Sequence, residues 1–528
     1  MFSNLPISAL LLVAGLSQAQ GSGGRDADEM APLVGPMVLA GSGPPAAATR
    51  SAFVDLAGGG AARIVVLAGD VARAKEIDWV AEGAGGVEVV VVKRASDVAA
   101  EAALGALLEA DGVWLAGLPG KSIDAPLLRM LLVSAWKRGA VLGGAGADAA
   151  AFTGTAGARE PGRLGLVPRV ELVFGAKNVA HDDAHQKAAT QLPARVVVAL
   201  PDGAALAVHC GRRIACVGEG KVGLAVKRKG NMLVREAVLD ADKERDRGDP
   251  LGYQADLLSW VRTARSAEAP EFPPAKPAPP GIAKGALLVH GGGAVSEATW
   301  KRFLALAGGA DASIVCIPSA DAFENDFAPS SFSAKQLEKQ GCTRVRILHA
   351  ATRKRAHLDP SFAAAIDGAQ GVWIDGGRTY RFMDRFEGTA AHAALRRVVE
   401  RGGVVAGSSA GAQVIGTFLV RGDPKTNDEL VDPGYLTALG LLPGVIIDAH
   451  FRDRNRTAEF GALVARHPQM LGFGVDADTA FIVQGQVGEV LGKGAVTMFD
   501  HRAGASVAEG VLLENGARYD LVRGKRLD

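Results

Sequence analysis

The chain has 528 residues, nearly half of them apolar, with 68 glycines and few aromatics. That length supports two or more domains with proper cores, and the Gly- and Ala-rich composition suits close helix–sheet packing. Its charges almost cancel at +1, which excludes the basic field of a nucleic-acid binder or of a protein held on an anionic membrane.

In chain order, the first feature is an apolar run from Ile7 to Leu16 followed by Ser17-Gln18-Ala19. Small residues at Ser17 and Ala19 fit cleavage after Ala19, so residues 1–19 are expected to be a signal peptide despite lacking Lys and Arg. The run is too short to span a bilayer, and no later segment is long and apolar enough. A secreted or periplasmic location follows as an expectation.

From Gly35 onward, short β-branched runs alternate with helical stretches: MVLAGSG, RIVVLAG, VEVVVV and DGVWLAG. This alternation predicts a mostly parallel sheet covered by helices, with ligands beyond the carboxyl ends of the strands. His181-Asp182-Asp183-Ala184-His185 sets two histidines one helical turn apart. Without a Glu after the first or a third ligand, it reads as a solvated helix face, and no metal site is expected. Cys210 and Cys216 flank a turn-like stretch; a disulfide and two buried thiols both fit.

A proline-rich segment, residues 269–281, reads as a semi-rigid spacer between residues 30–268 and 282–528. The two sides resemble each other in order. FVDLAGGGAARIVVLA from Phe53 parallels FLALAGGADASIVCIP from Phe303, and DGVWLAG at Asp111 parallels QGVWIDG at Gln370. GLVPRVELV at Gly165 parallels GLLPGVIID at Gly440, which predicts a tandem duplication of one α/β domain.

In the second half, Gly291–Gly293 follows an apolar strand without a P-loop Lys-Ser/Thr, so a βα turn accounts for it. Gly376-Gly377 follows another strand, where exposed amides can meet an oxyanion. Gly407-Ser408-Ser409-Ala410-Gly411 then satisfies G-x-S-x-G, the pattern of a nucleophile on a sharp strand-to-helix turn. The first half answers with KRGAVLGGAGADAA, where Ser409 falls opposite Gly146, or opposite Gly144 if the AGA triplets are matched. Only the second half can do serine chemistry. His450 ends an apolar strand and is the candidate base; the first half has only apolar residues and Gly there.

These motifs, with D-x-H-F at Asp448–Phe451, R-x-R at Arg454–Arg456 and GFGVDADTA at Gly472–Ala480, resemble the cyanophycinase-like serine peptidases, relatives of dipeptidase E. The resemblance covers most of residues 285–500. It implies a flavodoxin-like or class I amidotransferase-like α/β fold, present here as two tandem domains. It also implies a Ser-His-acid triad with Ser409 as nucleophile and His450 as base, and no cofactor. Oxyanion amides would come from Gly377 or Arg378 together with Ala410. Thr379, Asp448, Arg454 and Arg456 would lie on the substrate side. The family's triad glutamate corresponds to Ala477, so the acid is expected at Asp476 or Asp478, with Asp476 preferred because it follows the apolar run directly.

G-G-D-Q reads Gly376-Gly377-Arg378-Thr379, D-Q-H reads Asp448-Ala449-His450, and a substrate-side arginine is Glu459. These departures argue against cyanophycin as substrate. The expectation is an exported serine peptidase acting on a peptide or small molecule, with a non-catalytic pseudoenzyme or binding protein as the alternative. A generic α/β-hydrolase esterase is disfavoured because that class orders its triad Ser, acid, His.

Overall fold

The computed structural model describes residues 35–154, 160–176, 183–209, 211–230, 232–242, 252–322, 330–502 and 510–527. The expected signal peptide, His181 and Cys210 lie outside them. The chain divides into two compact units, Met1–Ala269 and Pro270–Asp528.

The first unit is α/β. Strands β1 (Met37–Ala40), β2 (Arg63–Ala68), β3 (Gly86–Val91), β4 (Gly112–Ala116) and β5 (Val141–Ala145) are followed by β6 (Val170–Phe174) and β7 (Val196–Leu200). After them come β8 (Ala204–His209), β9 (Arg213–Gly218), β10 (Lys221–Arg228) and β11 (Met232–Asp240). One sheet runs β9-β8-β1-β5-β4-β2-β3, with a two-residue strand beyond β9. Its β1, β5, β4, β2 and β3 are parallel, while β8 pairs antiparallel with β1 and β9 antiparallel with β8. A second sheet holds β11-β10-β7-β6.

The second unit contains β12 (Ala286–His290), β13 (Ile314–Ile317), β14 (Val345–Ile347), β15 (Gly371–Ile374) and β16 (Val404–Ser408). Next come β17 (Val445–Ala449), β18 (Leu471–Val475), β19 (Thr479–Gln484), β20 (Val487–Gly492), β21 (Val496–Asp500) and β22 (Val511–Leu513). The main sheet runs β20-β19-β12-β16-β15-β13-β14, with two short strands beyond β20, and a second sheet runs β17-β18-β21-β22. Strand for strand, this is the order of the first unit. The registers agree too: Met37 pairs with Leu142 as Leu287 pairs with Val405, and Val170 pairs with Val196 as Val445 pairs with Leu471.

Burial explains why β12 is apolar throughout. Leu287 and Val289 face one core with Val315, Ile317 and Phe382, while Ala286 and Leu288 face Trp300, Phe303 and Trp373 on the other side. A strand covered by helices on both faces has no solvent side to mark with polar residues. The helix Glu297–Ala307 behind it starts at Ser296, whose side chain accepts from Thr299 N–H, and stops at Gly308, φ 103°.

The proline-rich segment differs from the expected spacer. From Pro270 on it is laid along the second unit: Phe272 stacks on Phe418 at 5.9 Å, and Gln469 Nε2 donates to the Pro274 carbonyl at 3.4 Å. A Cβ on Gly444 would stand 2.5 Å from the Ala278 oxygen, so the two backbones meet closely. Its composition favours an extended chain, and packing of the half-buried Phe272 on Phe418 helps fix where that chain lies.

Candidate active site

Strand β16 runs into the short helix Ala410–Gln413 through Ser409, which sits at φ 55°, ψ −117°. A non-glycine residue there carries strain of about 1–3 kcal/mol. Its neighbours are glycines for steric reasons. A Cβ on Gly407 would lie 2.0 Å from the Gly411 oxygen, and one on Gly411 would lie 2.3 Å from the Ile374 oxygen. The turn is tied back to β12 by Ser409 N–H donating to the His290 carbonyl at 2.9 Å.

His450 follows β17 with φ 48°, a second strained position, and its N–H donates to the Gly291 carbonyl at 2.8 Å. The ring reaches Ser409: Nε2 and Oγ are 3.1 Å apart. Burial, then the charges of Arg454 and Arg456, hold the His450 pKa below its ordinary value, against a smaller upward pull from Asp453. The imidazole is therefore neutral at pH 7, and in the tautomer with its proton on Nδ1, Nε2 accepts the Oγ proton.

The amides of Gly377 and Ala410 have no hydrogen-bond partner among the described residues. Gly377 has φ 145°, and a Cβ there would meet the Ala320 oxygen at 2.3 Å. Arg378 is a correction. Its N–H donates to the Ala320 carbonyl at 2.9 Å, so it is not available to an oxyanion. Its guanidinium bonds the Asp423 carbonyl at 2.6 Å.

The expected acid is a second correction. Asp476 is 3% exposed, and its carboxylate accepts from Arg452 N–H (3.1 Å), Arg452 Nε (2.8 Å) and Ala495 N–H (2.9 Å). None of its bonds goes to His450. At the end of β18 the carboxylate turns to the backbone and guanidinium of the short turn Arg452–Arg454, whose donors claim it. Asp478 accepts from Ala294 N–H at 2.6 Å, and Asp453 accepts from Ala477 N–H at 2.7 Å. Among the described residues, no carboxylate is hydrogen-bonded to His450.

Three of the expected substrate-side residues are occupied within the protein. Thr379 Oγ1 donates to the Arg421 carbonyl at 2.6 Å. Asp448 is fully buried and accepts from Gln413 Nε2, Ala449 N–H and Arg456 Nη1, each at 2.8 Å. Arg456 also donates to the Ala449 carbonyl at 2.7 Å, and Arg421 links Asp448 to Glu459. Carboxylates and guanidinia buried this far cannot turn outward without leaving an unpaired charge. Arg454 differs: it is exposed and has no ion-pair partner among the described residues.

Sequence reading missed His290 and Ser408. His290 Nδ1 lies 3.2 Å from both Ser408 Oγ and Gly292 N–H. The one available signal was a histidine closing an apolar strand where the first half has Ala40.

The first unit has a like backbone at the corresponding turns, without the serine or the histidine. In the shared register Gly146 stands for Ser409 and Gly175 for His450; Gly146 has φ 54°, ψ −122°. Gly117 and Leu118 stand for Gly376 and Gly377, and their N–H groups donate to Asp148 at 2.6 and 3.2 Å. His185 is buried with Nε2 3.1 Å from the Val197 carbonyl, not on the solvated face expected for it. Cys216 is buried as well, which pushes its thiol up to about 12.

Fold and site together define an α/β protein with a serine on a strand–helix elbow, a histidine 3.1 Å from its hydroxyl and the Gly376-Gly377 turn beside it. The family model described as Peptidase family S51 matches residues 287–491. The chain is 35% identical to the cyanophycinase of Trichormus variabilis over 235 residues, 42% of this chain and 75% of that protein. It is 33% identical to that of Geminocystis herdmanii over 211 residues, 38% of this chain and 75% of the relative. The peptidase E of Shewanella amazonensis is 29% identical over 171 residues, covering 29% and 69%. A solved peptidase from an acI-B1 Actinobacterium is 20% identical, with a TM-score of 0.34 over 45% of this chain and 97% of its own. The chain belongs to peptidase family S51, a serine peptidase family, by virtue of its second unit.

Proposed function

We propose that the second unit hydrolyses peptide or isopeptide bonds through Ser409 and His450. The observation that carries this reading is the 3.1 Å approach of His450 Nε2 to Ser409 Oγ, on an elbow that leads into the unpartnered amide of Ala410 and lies beside the Gly376-Gly377 turn. His450 Nε2 takes the hydroxyl proton as Oγ attacks the carbonyl carbon, and the amides of Ala410 and Gly377 receive the oxyanion. The imidazolium then protonates the leaving amine, the C–N bond breaks, and water enters by the same route in reverse to release the acid and free Ser409.

With no carboxylate hydrogen-bonded to His450 among the described residues, turnover is expected to fall orders of magnitude below that of a complete triad. That same absence favours the second reading, a binding protein that keeps the family fold. Cyanophycin is an unsuitable substrate on this proposal, because Thr379, Ala449 and Glu459 replace residues of the family's recognition pattern. Among the expected substrate-side residues, Arg454 is the exposed cation that would meet an acidic group of the substrate. We further propose that the chain arose by tandem duplication, that its first unit is non-catalytic, and that residues 1–19 direct export.

Labelling with a fluorophosphonate tests the reading. Wild type should be modified at Ser409 and S409A should not; a peptide library then defines the substrate. Wild-type protein that resists labelling over the whole pH range and cleaves no library member is a binding protein instead.

A further inference from the structure

His290 stands behind both members of the pair. Its carbonyl accepts from Ser409 N–H at 2.9 Å, so its backbone anchors the elbow. Its ring holds a second element, since Nδ1 accepts the Gly292 N–H at 3.2 Å. Gly292, φ 96°, lies against the His450 imidazole so closely that a Cβ there would stand 2.2 Å from both Nε2 and Cε1. The same turn is tied to His450 by Gly291, which accepts the His450 N–H, and to the far side by Gly292, which accepts the Asp478 N–H at 2.8 Å. The Gly291–Gly293 turn is thus a backing plate for the His450 ring, and the His290 ring is what it rests on.

The protonation state is consistent with that role. His290 is fully buried, and burial holds its pKa down to about 4 against the opposing charge of Asp478. A neutral ring that accepts at Nδ1 carries its proton on Nε2, which has no partner among the described residues. An unpaired buried N–H is unfavourable, so the ring is maintained here at the expense of stability. The first unit supplies an internal control. Ala40 keeps the backbone bond, accepting from Gly146 N–H at 3.1 Å, but it has no ring, and Gly175 leaves no imidazole to support.

We infer that His290 is a positioning residue: through Gly292 it sets the place of the His450 ring that an orienting carboxylate sets in a complete triad. The inference rests on the serine-hydrolase reading above. Displacing a reacting group by about 1 Å can cost up to a hundredfold in rate.

The test compares H290L, which removes the acceptor, with H290N, which retains one. The probe is diisopropyl fluorophosphate, its second-order rate of Ser409 modification is followed against pH, and the His450 imidazole is titrated in parallel by NMR. His450 also faces Arg454, Arg456 and Asp453, which both variants leave in place. H290L should react about tenfold or more slowly than wild type and should titrate His450 at a shifted pH. H290N should stay within about threefold. H290F fills the same space and replaces H290L if that variant does not fold.

A folded H290L or H290F with the wild-type rate and titration overturns the inference, as does H290N falling to the level of H290L. If wild type itself does not react, the hydrolase reading fails, and the NMR comparison still decides whether His290 positions His450.

Discussion

Gly146 and Ser409 occupy the same turn of two like units, with φ, ψ of 54°, −122° and 55°, −117°. A glycine adopts that conformation freely, whereas a serine does so only under strain. G146S should therefore destabilise the first unit by about 1–3 kcal/mol, although the added Cβ makes only ordinary contacts, 3.7 Å from Ser42 Oγ and 3.8 Å from its Cα. S409G should leave the second unit as stable as before or slightly more so. Calorimetry on the two variants checks both; a second unit destabilised by S409G would show that the serine is structurally required.

Asp148 gives the amides of Gly117 and Leu118, the second of which stands for Gly377, the protein's own carboxylate. D148A leaves the Gly117 and Leu118 N–H groups without that acceptor and should cost about 2–3 kcal/mol. Fluorophosphonate labelling at Ser409 should be unchanged. An unchanged melting curve would mean that water replaces the carboxylate at no cost.

Burial of a neutral His290 makes the second unit acid-sensitive. Its folded pKa, about 4, lies below the ordinary 6.5, so between these values the unfolded chain binds a proton that the folded one refuses. Stability then rises with pH, is fully present above about 6.5, and is lost as pH falls towards 4, by on the order of 3 kcal/mol. Asp375 and Asp448, raised by burial, act in the opposite sense. The difference between wild type and H290F in denaturant melts at pH 7 and pH 4.5 isolates the histidine. Parallel pH profiles for the two proteins would contradict this burial effect.

Asp476 serves the turn that follows His450. D476N loses the ion pair with Arg452 and should destabilise the second unit by about 1–3 kcal/mol. The pH dependence of Ser409 labelling should not move. A shifted profile would return Asp476 to the role of orienting acid.

Arg454 lowers the proton affinity of His450 from an exposed position. R454Q should raise the His450 pKa and move the labelling profile to higher pH, most clearly at low salt. The same variant should weaken capture of acidic library peptides. An unaltered titration would show that solvent already screens the guanidinium.

Much of this protein was legible locally. The glycine at 407 is required by a backbone collision four residues away, at the Gly411 oxygen, and the apolar strands by helices on both faces. Such demands act over short stretches, so they leave a pattern in the sequence, and they leave it twice. The amides of Gly377 and Ala410 belong to the same class, since strand-end turns expose N–H groups wherever they form.

Which polar groups face the site was a different matter. Asp476 follows its strand as an orienting acid would, yet its carboxylate is taken by Arg452, 24 residues before it, and by Ala495, 19 residues after it. Asp448 and Arg456 match a substrate-binding pattern, yet they spend their charges on each other in the interior. The ring of His290 reaches its role only because the Gly291–Gly293 turn folds back under His450. The sequence by itself determined the α/β strands, the elbow and the absence of a matching serine and histidine in the first unit, because steric and apolar requirements are written where they act. Only the tertiary structure decided the partners of each charge and imidazole, because a carboxylate goes to whichever donors the crossing chains bring within about 3 Å, and those come from distant segments.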